Sequence, residues 1–425
     1  MHSRGSCPWW PSAARRVTVF LSFLLWAWPL LASSAPLTLQ QATQRALKRA
    51  PLLDARRAGV TAANEERARA GALPDPVLTV GIDNLPVTGG NAFDFAADEM
   101  TMQRIGVRQD IPARAKREAQ RTLADRRIDE AGARQRADAL AVQRATADAW
   151  IDLWAARQAI DALTRLHEQA ELAAKIAKAR VAAGASPDDA LAAQAAVLDL
   201  DNRTEEAVAT HEAARAALAR WVGDGDADPT GTPDFDRLPV ADDRLLAEID
   251  RAGDLLPLDA QVETAAAAVD AARAERHPDW SIAASYGRRA GERSDMVTVE
   301  VGIGLPLFTR TRQDHGIAAR EADYDAALAD REDRRRELTA SIRAALALWH
   351  GLQRQVALYE HQMLPVARDR SMLALAAYRA GGPLQPWLDA RRDELAAQLA
   401  HAQQLGELGR AWAALAYLLP SETQP

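Results

Sequence analysis

The sequence predicts a mainly α fold with a β-barrel part, built from a duplicated helix–strand–strand–helix unit. Three observations carry this. A set of proline and glycine landmarks recurs in the same order at a spacing of roughly 195–205 residues. Two alanine-rich stretches run on far beyond the usual helix length without a break. Four short segments alternate apolar and polar residues with period two.

The landmarks define the duplication. Pro51-Leu52-Leu53-Asp54-Ala55 echoes Pro257-Leu258-Asp259-Ala260, and each opens an amphipathic run. The runs end at Leu73-Pro74-Asp75-Pro76 and His277-Pro278-Asp279-Trp280. Then come Ile105-Gly106-Val107 with Asp110-Ile111-Pro112, and Val301-Gly302-Ile303 with Gly304-Leu305-Pro306. Arg180-Val181-Ala182-Ala183-Gly184 parallels Tyr378-Arg379-Ala380-Gly381-Gly382. The expected division is a leader 1–35, a first repeat 36–222, an irregular connector 223–253, a second repeat 254–420 and a tail 421–425.

The leader reads as an export signal. Arg4, Arg15 and Arg16 precede an apolar run from Val17 to Leu31, and the small residues Ala32-Ser33-Ser34-Ala35 follow. Its removal takes away three arginines and no acid, so a formal charge of −7 becomes −10. A domain that acidic is a poor nucleic-acid ligand. Cys7 lies in the leader, so the mature chain is expected to have no disulfide and no thiolate chemistry.

With 48% hydrophobic, 26% charged and only 5% aromatic residues, the composition suits long helices. From Ala113 to Ala183 there is no proline and a single glycine, Gly132. That stretch predicts one very long helix or two stacked ones, a rod of about 100 Å. The run from Phe308 to Ala380 repeats it, with a kink expected at Pro365. Helices alone would also fit a coiled-coil scaffold.

The strands argue otherwise. They are expected at about 77–84, 101–111, 280–288 and 296–306. Leu78, Val80 and Ile82 share a face, as do Ile105 and Val107, Trp280, Ile282, Ala284 and Tyr286, and Val297, Val299, Val301, Ile303 and Leu305. The opposite faces carry Arg104, Arg108, Glu300 and several glycines, which suit a water-filled lumen. A soluble hairpin packed on a helix shows the same alternation, but the leader favours a barrel. Four strands cannot close a membrane barrel, which needs about eight, whereas three copies supply twelve. The barrel reading therefore implies a trimer.

Chemistry is hard to find. The histidines are scattered, with no pair one turn apart beside a glutamate, and no phosphate loop or nucleophile elbow is present. No enzyme activity, cofactor or metal site is expected.

At this point the sequence resembles the TolC family of outer-membrane factors over 36–420. The residues carrying the likeness are the duplicated plan, Val107-Arg108-Gln109-Asp110-Ile111-Pro112 and Val301-Gly302-Ile303-Gly304-Leu305-Pro306. Leu73-Pro74-Asp75-Pro76, Asp83-Asn84-Leu85-Pro86 and Met100-Thr101-Met102-Gln103-Arg104-Ile105-Gly106-Val107 are similar to its CzcC-like heavy-metal group. The resemblance implies a homotrimer with a twelve-strand barrel in outer-membrane lipid and a twelve-helix tunnel in the periplasm. It also implies two partners, a periplasmic adaptor and an inner-membrane pump of the RND type. The family's helical tips match Gly184-Ala185-Ser186 and Gly381-Gly382-Pro383, candidate adaptor contacts. Its entrance acids match Asp389, with Asp188 and Asp189 near the other tip, while Pro386 replaces the companion acid.

Overall fold

A computed structural model describes residues 36–420 apart from 185, 224, 226 and 227. The expected leader with Cys7, the tail and Ala185 lie outside the described residues. The first half runs β1 (Pro36–Leu37), α1 (Leu39–Arg49), α2 (Pro51–Arg69), β2 (Val77–Asp83), β3 (Met102–Ile111), α3 (Arg114–Ala182) and α4 (Pro187–Val222). The second runs β4 (Asp228–Pro229), α5 (Asp242–Ala247), α6 (Leu256–Ala274), β5 (Trp280–Arg289), β6 (Met296–Ile303), α7 (Gln313–Leu358), α8 (Leu364–Arg379) and α9 (Gln385–Ala416).

Local chemistry sets the boundaries. A capping box between Thr38 and Gln41 starts α1. Pro51 opens α2 and holds Ala50 extended, which divides α1 from α2. The stretch without proline folds as one helix, α3, 69 residues long. Just before Pro365, where a kink is expected, the rod carries a π-helical turn, Tyr359–Met363. Pro365 has no N–H for the carbonyl one turn back, and the Leu364 N–H reaches five residues back to the Tyr359 carbonyl.

The strands form one antiparallel sheet in the order β2-β3-β5-β6. Strand β6 stops at Ile303, short of the expected Leu305, because Gly304 N–H bonds to the Asp279 carbonyl at 2.8 Å and Pro306 follows. At the other hairpin Asn84 takes φ +56°, which ends β2 at Asp83.

Below the sheet the helices pack in sequence: α2 on α3, α3 on α6, α6 on α7. Further down, α9 lies between α3 and the α7–α8 rod, and α4 lies against α3. The largest core cluster sits where these layers meet the connector. Phe235, Leu245 and Ile249 of the connector, with Leu255 just after it, are buried there against Trp150, Ile151, Trp349 and Leu408. Three indole N–H groups tie irregular backbone to the rods. Trp150 donates to Leu37 O at 2.8 Å, Trp349 to Phe235 O at 2.9 Å and Trp412 to Arg237 O at 2.7 Å. The connector expected as irregular is thus pinned, with β4 also pairing parallel to β1.

Candidate functional site

Two regions of the rod hold the residues that sequence reasoning singled out. The first is the sheet. Its register places Leu78, Val107, Ala284 and Val299 in one row and Val80, Ile105, Tyr286 and Val297 in the next, all on one face. Nothing among the described residues covers that face: Val80 is 76% exposed, Val297 73% and Val299 69%. Transfer of such a surface from water to hydrocarbon is favourable by about 25 cal/mol per Å². Exposed apolar patches of this kind mark an interface with lipid or protein.

The opposite face carries Thr79, Gly106, Ser285 and Thr298 in one row, with Arg104, Arg108 and Glu300 in neighbouring rows. All three charged residues are exposed. Arg104 pairs with Asp83 at 3.1 Å and Arg108 with Asp110 at 3.0 Å. Gly106 is buried, and a Cβ there would stand 2.8 Å from that of Ser285, so the position has no room for a side chain. At the hairpin end, Arg293 donates to the carbonyls of Ala96 (3.2 Å) and Asp98 (3.4 Å), tying the basic loop to the acidic one.

Where strands become helices there is a cluster that sequence reasoning missed. Lys116, in the first turn of α3, bonds Asp279 at 2.8 Å and Glu275 at 3.2 Å. Asp279 also accepts the Ala113 N–H at 2.9 Å. Burial disfavours charge on both partners. The hydrogen bonds outweigh it, holding the Lys116 ammonium above its ordinary value and the Asp279 carboxyl below its own. The signal was present in the repeat, since Asp279 follows a landmark proline, but not the partner.

The second region is the helical tips. Gly184 (φ +97°) and Gly381 (φ +100°) both sit in the left-handed region that ends a helix. Gly382 N–H bonds Ala377 O at 3.0 Å and Gly381 N–H bonds Tyr378 O at 3.1 Å, a paired C-terminal cap. Pro383 then turns the chain into α9. On the other tip Ser186 caps α4 by accepting the Asp188 N–H at 3.2 Å. Asp188 and Asp189 lie in the first turn of α4, where the helix dipole favours acids. Asp389 is exposed one turn into α9, and Gln385 donates to it at 2.9 Å. Among the described residues no hydrogen bond or ion pair joins Asp389 to Asp188 or Asp189.

What does join the tips is aromatic. Tyr378 and Trp387 stack with ring centroids 6.3 Å apart, and Arg180 of α3 lies 4.5 Å over the Tyr378 ring. With Ala173, Ala177, Ala193 and Leu384 they form a small core that fastens one hairpin to the other. The sequence showed each residue next to a landmark but not their convergence.

Among the described residues no helix is long and apolar enough to cross a membrane, and no cluster of acids and histidines could hold a metal ion. No curated protein sequence matches the chain. Solved structures do. CusC is similar at 16% identity, with 90% of this chain and 92% of that one covered and a TM-score of 0.75. The outer membrane protein VceC of Vibrio cholerae is similar at 19% identity, covering 90% and 96%, TM-score 0.72. The CmeC outer membrane channel of Campylobacter jejuni is similar at 15%, covering 91% and 87%, TM-score 0.74. Residues 247–420 match the sequence model of the outer membrane efflux protein family. The chain therefore has the fold of these outer-membrane channels, and its second half bears the sequence pattern of the outer membrane efflux protein family.

Proposed function

We propose that the chain is the outer-membrane exit duct of a tripartite efflux system, a passive channel rather than an enzyme. One observation carries the reading. A four-stranded sheet with a largely apolar exposed face, broken by Gln103, Gln109 and Arg288, a polar second face and two unpaired edges stands on helical rods about 100 Å long. Unpaired edges do not persist in hydrocarbon, so the sheet closes with other copies. Three copies give twelve strands and a helical tunnel continuous with them. Trp280 and Tyr286 lie on this face six residues or about 20 Å apart, a separation close to the height of an outer-membrane band. Arg104, Arg108 and Glu300 then face the lumen.

In this reading the tips Gly184, Ala185, Ser186, Gly381, Gly382 and Pro383 meet a periplasmic adaptor, and an inner-membrane pump of the RND type supplies the energy. Asp389, with Asp188 and Asp189, narrows the entrance. Heavy-metal cations are the proposed cargo, supported by the CzcC-like segments around Pro74, Asn84 and Met102 and by acids at the entrance, which attract cations.

Membrane fractionation tests the duct. A detergent-extracted, heat-modifiable trimer in the outer membrane is expected, and a soluble periplasmic monomer would overturn it. For cargo, loss of the chain should sensitise cells to divalent heavy metals. Sensitivity to hydrophobic drugs alone would reassign the cargo.

A further inference from the structure

The internal duplication predicts the geometry of the seam between copies. Inside one chain the two repeats meet along β3 and β5, and the register can be counted from the landmark prolines. Ile111, one residue before Pro112, faces Trp280, two residues after Pro278. At the foot of the same seam Lys116, four residues after Pro112, bonds Asp279, the residue after Pro278.

The repeats equate Pro112 with Pro306 and Pro74 with Pro278. The counterpart of Lys116 is then Arg310, and the counterpart of Asp279 is Asp75. Both are exposed, and neither makes a hydrogen bond or ion pair with the described residues. They also lie at the feet of the two free edges: Arg310 follows β6 and Asp75 precedes β2. An unpartnered cation and anion thus stand where the in-chain seam has a bonded pair.

Carrying the register across the same prolines sets Ile303 opposite Leu78, Val301 opposite Val80 and Val299 opposite Ile82. These are the apolar-face residues of both edges. A slip by one residue would set apolar against polar side chains along the whole seam. The proline positions carry no information about which face is apolar, so the match of faces is independent of them. On the other face Glu300 falls opposite Gly81, which has no side chain and stands beside Arg104 in its own sheet. The helices agree. Within the chain α6 is packed on both sides, by α3 and α7, whereas α2 packs on α3 and Leu53 is its one buried residue.

We propose that the seam between copies repeats the in-chain seam: β6 pairs antiparallel with the neighbouring copy's β2, Val301 opposite Val80, and Arg310 bonds the neighbouring copy's Asp75 at its foot. This rests on the ring reading above and specifies how the ring closes. The occupant of each free edge is a second copy of this chain.

The test joins cross-linking to charge reversal, with Cys7→Ser as background. Val80→Cys with Val301→Cys should give a disulfide-linked trimer on a non-reducing gel. Val301→Cys with Leu78→Cys or Ile82→Cys, shifted by two residues and beyond disulfide reach, should not. Asp75→Lys and Arg310→Asp should each lower the temperature at which the extracted trimer dissociates, and the two together should restore it. Arg312→Ala should leave it unchanged. A trimer that links through a shifted pair, or not at all, would overturn the register. Failure of the double reversal to restore the trimer would overturn the ion pair, even if a single variant fails to assemble. A parent protein that is monomeric in the outer membrane would instead sink the duct reading itself, so the two failures are distinguishable.

Discussion

Lys116 shows what one residue contributes at a junction. Its side chain is only 10% exposed, and the cost of burying its charge is offset by two carboxylates and the fixed geometry of the α3 start. Asp279 is half-exposed, so solvent screens the pair and the net contribution is small. Lys116→Met should lower stability at pH 7 by about 1 kcal/mol, measured by denaturant titration of the extracted protein. The pH dependence has a definite sign. The carboxyl of Asp279 is depressed, so its contribution is present above the ordinary carboxylate range and is lost as pH falls through its folded value. The ammonium of Lys116 is raised, so its contribution is present below the ordinary lysine value and is lost only above its folded one. The variant and the parent should therefore converge in acid. A gap unchanged at low pH would mean that Lys116 acts through packing alone.

At the scale of elements, close approach decides where the rods cross. A Cβ on Gly409 would meet Ile151 Cγ2 at 2.8 Å and Phe235 Cζ at 3.0 Å, so α9 presses directly on α3 and the connector there. Gly132, in the first third of α3, has only the flexible tip of Arg136 at 3.6 Å. The same substitution should therefore act in opposite directions. Gly409→Ala should destabilise by about 1–3 kcal/mol through overpacking. Gly132→Ala should stabilise by up to about 1 kcal/mol through helix propensity. Paired thermal melts distinguish them, and equal shifts of one sign would refute this account of the crossing. Both glycines look alike in the sequence, within alanine-rich helical stretches. Only the packing separates them. The alternation of the strands, by contrast, was legible residue by residue, because side chains on a pleat alternate whatever the partner.

At the scale of the whole molecule, the proposed entrance is the feature most open to measurement. Asp389 stands exposed on the first turns of α9, held by Gln385. A ring of three such carboxylates would attract cations and repel anions over about a Debye length, roughly 8 Å at physiological salt. In planar bilayers Asp389→Ala should raise single-channel conductance and weaken cation preference. Unchanged values for both would remove Asp389 from the gate. The tip core of Arg180, Tyr378 and Trp387 lies just inside this region and fixes one hairpin to the other, so an opening motion has to work against that contact.

The sequence by itself determined the duplication, the two long rods, the turn glycines Gly184 and Gly381 and the two faces of the sheet. Each of these depends on local rules: proline and glycine geometry, helix propensity and period-two alternation. The tertiary structure decided that β3 and β5 are the neighbouring strands, that Trp349 and Trp412 anchor the connector and that Trp150 anchors β1. It also decided that Lys116 meets Asp279, 163 residues away. These are contacts between distant segments, and side-chain spacing along the chain carries no information about which distant backbone a given indole or ammonium will reach. The helix–strand–strand–helix repeat connects the two levels, because the contact seen once within the chain specifies the contact expected between copies.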